Sequence, residues 1–130
     1  MANDKSEYGP TLLRLVLGPL FLIPGFSKLA NPSMITQMLE GLGFPAPAFF
    51  GWLLLLSEII FGASVLLGWK VKYTVWPLTI VLLVAVATVY VPKLATDPMA
   101  MISVLFHALG IAALISLSLT GPGALAISKE

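Results

Sequence analysis

Long apolar stretches alternate with short polar breaks along this chain. Four stretches are long enough to cross a bilayer: residues 10–29, 47–68, 72–91 and 98–119. Each has about 18–22 residues, which at about 1.5 Å rise per residue matches a hydrocarbon core about 30 Å thick. Pro10 suits the first helical turn of span one, whereas Pro19 and Pro24 fall inside it and predict a bend. Span four opens on the cap signal Thr96-Asp97-Pro98 and stops before Thr120-Gly121-Pro122-Gly123.

Between the first two spans, residues 32–42 show a different period. Asn31 is a candidate N-cap, Pro32 takes the first helical position, and Met34, Ile35, Met38 and Leu39 fall on one helical face. This pattern predicts a short amphipathic helix lying in the membrane interface, closed by Gly41 and Gly43. The pattern as a whole predicts an all-α membrane protein of one domain, residues 1–130. It is a four-transmembrane-helix bundle with a short interfacial helix between helices 1 and 2.

Composition agrees. Hydrophobic residues make up 58% of the 130 and charged residues only 10%, with mean hydropathy +1.00, too little polar surface for a water-facing domain. A net charge of +1 argues against nucleic acid as a partner. The chain has no cysteine and one histidine, which excludes iron–sulfur clusters and a multi-histidine metal site within one chain. No metal site is expected, and the methionines near the chain's outer turns read as packing rather than copper ligands. The first apolar segment is too long for the core of a signal peptide and reads as a retained membrane helix.

Four spans place both termini on one side. Lys5, Lys70, Lys72, Lys129 and Arg14 fall there, against Lys28 and Lys93 opposite, so the expected location is the cell membrane with both termini inside. Tyr8, Trp69, Tyr73 and Trp76 fall near the inner interface, and Trp52 and Tyr90 near the outer one. The stretches Lys28–Ile35 and Lys93–Ile102 resemble each other, which fits either a repeat of helix pairs or similar capping at two similar turns.

Ionisable residues inside a membrane are costly and usually face the interior of a bundle. Counted from the inner ends of the spans, Arg14 lies about 6 Å deep, Glu58 about 15 Å and His107 about 18 Å. Arg14, Gly18, Phe21, Gly25 and Lys28 share one helical face. Gly51, Glu58 and Gly62 share another, and Ser103, His107, Gly110 and Ser118 a third. These phases predict an inward polar cluster of Arg14, Glu58 and His107 on faces of small residues. Glu58 reads either as a structural bridge to Arg14 or His107, or as a carboxylate that handles protons or a ligand. His107 reads as a packing residue, a contact to quinone or substrate, or an axial ligand to haem or chlorophyll. Arg14 reads as an interface residue that also pairs inward. Lys28 and Lys93 read as solvated interface lysines or as a basic pair at the outer mouth of the bundle.

These residues resemble a known family. Arg14, Gly18, Gly25 and Lys28 in span one, Leu42–Pro47, Glu58 with Gly62, Leu66–Gly68 and Thr120–Gly123 are similar in order and spacing to the DoxX family over roughly residues 11–123. The resemblance implies a four-helix prokaryotic membrane protein. Its relatives include membrane subunits linked to thiosulfate:quinone oxidoreduction and proteins found beside redox or detoxification partners. The family's arginine and glutamate carry over to Arg14 and Glu58, and its first-helix lysine to Lys28. His107 departs from the pattern. The expectation is a non-catalytic accessory or assembly subunit of a larger membrane redox complex, in contact with lipids and with other subunits and with no cofactor of its own. A quinone-linked oxidoreductase subunit using Glu58 and His107 is the alternative, ahead of haem or chlorophyll binding at His107 and of a small transporter.

Overall fold

The computed structural model describes residues 5–127. Lys129, counted above in the charge balance, lies outside the described residues. Five α-helices are present among the described residues: α1 (Tyr8–Ala30), α2 (Pro32–Gly41), α3 (Pro47–Leu67), α4 (Val71–Ala85) and α5 (Pro98–Thr120). Four helical segments are long and apolar enough to cross a membrane: Lys5–Ala30, Pro47–Leu67, Val71–Lys93 and Pro98–Thr120. No strand occurs among the described residues. The protein is therefore an all-α, multi-pass membrane protein.

Pro19 and Pro24 both lie within α1, which continues as one helix past them. The third span does change form. After Ala85 the helix widens into a π turn, Val86–Tyr90, and then tightens into a 3-10 turn, Val91–Lys93. Pro92 explains the change. Its ring cannot donate and would clash with the carbonyl four residues back, at Thr88, so the preceding turn opens.

The helices close a four-sided bundle. α1 packs along α3, α3 against α4, α4 against α5, and α5 returns to α1 over a smaller contact. The diagonal pairs, α1 with α4 and α3 with α5, do not approach each other directly among the described residues. Glycines let α1 and α3 come close. A Cβ on Gly18 would sit 2.6 Å from the Leu66 Cβ and 3.2 Å from its Cα, so only hydrogen fits there.

Packing differs between the two ends. At the end carrying both termini, Leu17, Phe21, Val65, Val71, Val75, Leu78, Leu114 and Leu117 form one buried core. At the other end a smaller cluster of Ile35, Leu39 and Leu55 joins α2 to α3. Gly51 supports that contact, since a Cβ there would meet Ile35 and Thr36. The expected apolar stripe of α2 is thus divided. Ile35 and Leu39 are buried, while Met34 and Met38 are exposed. Asp97 caps α5 as expected, accepting from the Met99 backbone N–H at 2.9 Å. Asn31 does not cap α2 through its side chain; its Oδ1 accepts from the Ser33 hydroxyl instead.

Candidate functional site

The three residues expected to meet do not form one cluster. Arg14 is 1% exposed and turns toward the termini. Its Nε donates to the Pro122 carbonyl at 2.8 Å and its Nη1 to the Leu66 carbonyl at 2.8 Å. Nη2 donates to the carbonyls of Ala124 at 2.7 Å and Leu125 at 3.1 Å. One guanidinium therefore ties the end of α3 to the segment after α5. Gly68, with φ +75°, keeps the space clear, because a Cβ there would lie 2.9 Å from Arg14 Nη1. The Ala124 N–H donates to the Glu7 carbonyl at 3.0 Å and that of Ile127 to the Leu67 carbonyl at 3.0 Å, so the tail is stitched across the base of the bundle. Arg14 is a structural knot and not a partner of Glu58.

Glu58 keeps a different partner. Its Oε1 accepts from Lys28 Nζ at 2.8 Å, the one salt bridge among the described residues. Helical side chains lean toward the N-terminus of their helix. α1 and α3 run in opposite directions, so Lys28 leans toward the termini and Glu58 leans away from them, and the two close on each other. Gly25 makes the room, since a Cβ there would lie 3.2 Å from the Glu58 Cβ. Glu58 is thus level with Gly25, about one turn below Lys28. Arg14, eleven residues before Gly25 on the same helix, is about 16 Å lower and leans away. That geometry corrects the expected pairing of Glu58 with Arg14 or His107.

Lys28 and Lys93, expected together at the outer mouth, sit in different settings. Lys28 is half-buried against the carboxylate, whereas Lys93 is exposed on the 3-10 turn. The lysine-bearing stretches that resemble each other therefore differ in what they hold.

Glu58 and His107 are nonetheless brought to one place. A cavity of about 780 Å³ lies in the half of the bundle away from the termini, and Lys28, Ser57, Glu58, Thr88, Tyr90 and His107 are its polar lining. The rest of the wall is apolar, with Phe21 and Pro24 of α1, Leu54 of α3, Val81 of α4 and Gly110 of α5 among it. α2 contributes Ile35, Met38 and Leu39. Leu53, Ile80 and Phe106 also line it and are themselves exposed on the apolar flanks of their helices, so the cavity opens sideways toward lipid. Glu58 and His107 come from the diagonal helices α3 and α5 and stand on different walls.

The His107 ring is held firmly. Its Nδ1 lies 2.7 Å from the Ser103 carbonyl, and the Tyr90 ring lies against it at 4.8 Å between centroids. Tyr90 comes from the π turn and so reaches the cavity instead of serving only in an interface belt. Sequence phase alone gives no sign of Tyr90, because the π turn shifts the register of the third span. The Pro92 that causes the shift was the available signal. Among the described residues, no group of three or more His, Cys, Asp or Glu stands close enough to hold a metal ion.

No protein of curated function and no solved structure matches the chain. The DoxX family model matches residues 9–91. The matched stretch includes Arg14 and, of its acceptors, Leu66, as well as Lys28 with Glu58, and it ends before the other acceptors of Arg14 and before His107. Over most of its length, from α1 to the end of the third span, this chain belongs to the DoxX family.

Proposed function

We propose that this DoxX protein is an accessory subunit of a membrane redox complex that holds a quinone-class molecule in its lateral cavity. The observation that carries the reading is the combination at one void. An apolar chamber of about 780 Å³ opens toward lipid and carries a Lys28–Glu58 pair on one side and His107 with Tyr90 on the other. Sites for small lipophilic molecules are mostly apolar with a few placed polar groups. A molecule delivered from the bilayer, with a planar ring and oxygens at both ends, fits that description. A phospholipid, with one large charged head, fits it less well.

The accessory part of the reading rests on chemistry. The chain has no cysteine and one histidine. That composition supports a redox centre carried by a partner. The charge balance along the chain supports a cell-membrane location with both termini inside.

Organic extraction of protein purified in mild detergent tests the ligand. The expected result is about one quinone-class molecule per chain, lost in the paired variant Lys28→Met/Glu58→Leu. Recovery of phospholipid alone sinks the reading. Native purification tests the partner: a chain that runs alone with nothing co-purifying is not an accessory subunit. Haem or chlorophyll at His107 is the competing occupant, and it would announce itself in the absorption spectrum of the purified protein.

A further inference from the structure

The hydrogen bonds left open in the cavity say more about its occupant, on the reading that a quinone-class molecule binds there. A backbone carbonyl can only accept, so His107 Nδ1, at 2.7 Å from the Ser103 carbonyl, must carry the proton. In the neutral imidazole the other nitrogen, Nε2, is then a bare lone pair. Nε2 has no hydrogen-bond partner among the described residues, and none of the buried side-chain polar atoms there is unsatisfied, so this nitrogen is accessible. Glu58 is in the same position. Oε1 is taken by Lys28, and Oε2 accepts nothing from the described residues.

His107 and Glu58, which line the cavity from α5 and α3, therefore each carry an accepting atom with no donor among the described residues. Beside Glu58, Lys28 Nζ has N–H bonds beyond the one it gives to Oε1. A hydroxyl satisfies that end fully, giving a hydrogen bond to Oε2 and taking one from Nζ. A carbonyl oxygen satisfies only the lysine. At His107 the difference is sharper. A hydroxyl donates to Nε2, whereas a carbonyl oxygen sets one lone pair against another and leaves both unpaired.

We infer that the site recognises the dihydroxy, reduced form of its ligand in preference to the dicarbonyl, oxidised form, with His107 Nε2 as the residue atom that sets the preference. A hydroquinone offers two hydroxyl donors and the matching quinone offers none. A site that strictly requires a donor rejects an analogue lacking it far more strongly than an apolar pocket rejects a change of size.

Calorimetric titration of the detergent-purified protein tests this, with tetramethylhydroquinone, its dimethyl ether and tetramethylbenzoquinone as probes. The expected result is that the hydroquinone binds about tenfold more tightly than the other two, the effect of one well-made hydrogen bond. In His107→Phe the preference should shrink to the smaller part that the Lys28–Glu58 end supplies. Equal or tighter binding of the benzoquinone by the native protein overturns the inference, and so does a preference that is undiminished in His107→Phe. Because the ether and the benzoquinone are compared on the native protein, the result stands even where the variant folds poorly. If none of the three probes binds, the quinone-class reading falls as well, and that outcome is distinct from binding without preference.

Discussion

The two ends of this bundle each hold a cation from the same helix and use it differently. At the end carrying the termini, Arg14 gives four hydrogen bonds to backbone carbonyls and meets no carboxylate among the described residues. At the opposite end, Lys28 gives one to Glu58 and faces a cavity. The guanidinium presents five N–H groups in a rigid fork and can join several segments at once. The ammonium is a compact charge on a flexible stem and keeps donors in reserve. Around Arg14 the helices share a dense core; around Lys28 they stand apart. Stability is thus concentrated at one end of the molecule, which leaves the other free to hold a void.

The largest expected effect comes from removing the knot. Arg14→Ala leaves the carbonyls of Leu66, Pro122 and Leu125 without its N–H donors and that of Ala124 with the Thr11 hydroxyl alone, and should cost about 3 kcal/mol or more. Arg14→Lys should recover only part of this, since an ammonium cannot span four acceptors in two segments. Thermal unfolding in detergent and proteolysis of the C-terminal tail measure both. A native-like midpoint for Arg14→Ala would break the contrast between the ends.

Two glycines on α1 separate stability from the site. Gly18→Ala forces the Leu66 backbone away and should destabilise by about 1–3 kcal/mol, without altering the cavity. Gly25→Ala presses instead on Ile59 and on the Glu58 Cβ. It should cost about as much stability and, unlike Gly18→Ala, also weaken ligand binding by displacing the carboxylate. Comparing unfolding midpoints with ligand affinities for the pair checks this, and equal losses of affinity would show that the ends are coupled.

Much of this was legible in the sequence, and the reasons for the misses are physical. Apolar period and length gave the four spans and the α2 segment to within a few residues, because hydrophobic pattern sets them locally. The shared face of Arg14, Gly18, Phe21 and Gly25 is buried as expected, and so are Gly51, Glu58 and Gly62 on α3. Partners were not legible. Arg14 bonds to carbonyls more than a hundred residues away, and a carbonyl leaves no mark on the sequence. Helical phase put Lys28 on the face of Arg14 and Gly25, but it carries no account of the lean of side chains, which brings residues on antiparallel helices together across a turn. Tyr90 was hidden by a change of helical register that only Pro92 foretells.

The cavity's ion pair should matter more to binding than to folding. Glu58→Gln should destabilise by only about 1 kcal/mol, because Lys28 is partly exposed and finds other partners. Replacing both residues, as Lys28→Met/Glu58→Leu, should return the unfolding midpoint to near the native value, as exchanging an ion pair for apolar side chains often does. Quinone-class binding should not return with it. A double variant that keeps its ligand would show that the pair is only a strut, like Arg14 at the other end.

The smallest effect is expected at Lys93, and it isolates what makes Lys28 different. Both lysines begin similar stretches, Lys28–Ile35 and Lys93–Ile102, and each stands at the close of a span that runs away from the termini. Lys28 has a carboxylate leaning toward it from the neighbouring helix, and Lys93 has none: it is exposed and makes no side-chain hydrogen bond among the described residues. Lys93→Ala should therefore leave both the unfolding midpoint and ligand affinity within experimental error, while Lys28→Ala lowers the affinity. If the two variants behave alike, the lysines act through long-range charge at the cavity mouth. If they differ as expected, a lysine at this place in the helix does nothing by itself. It gains a role only where a glycine such as Gly25 lets an acid from the next helix come within 2.8 Å.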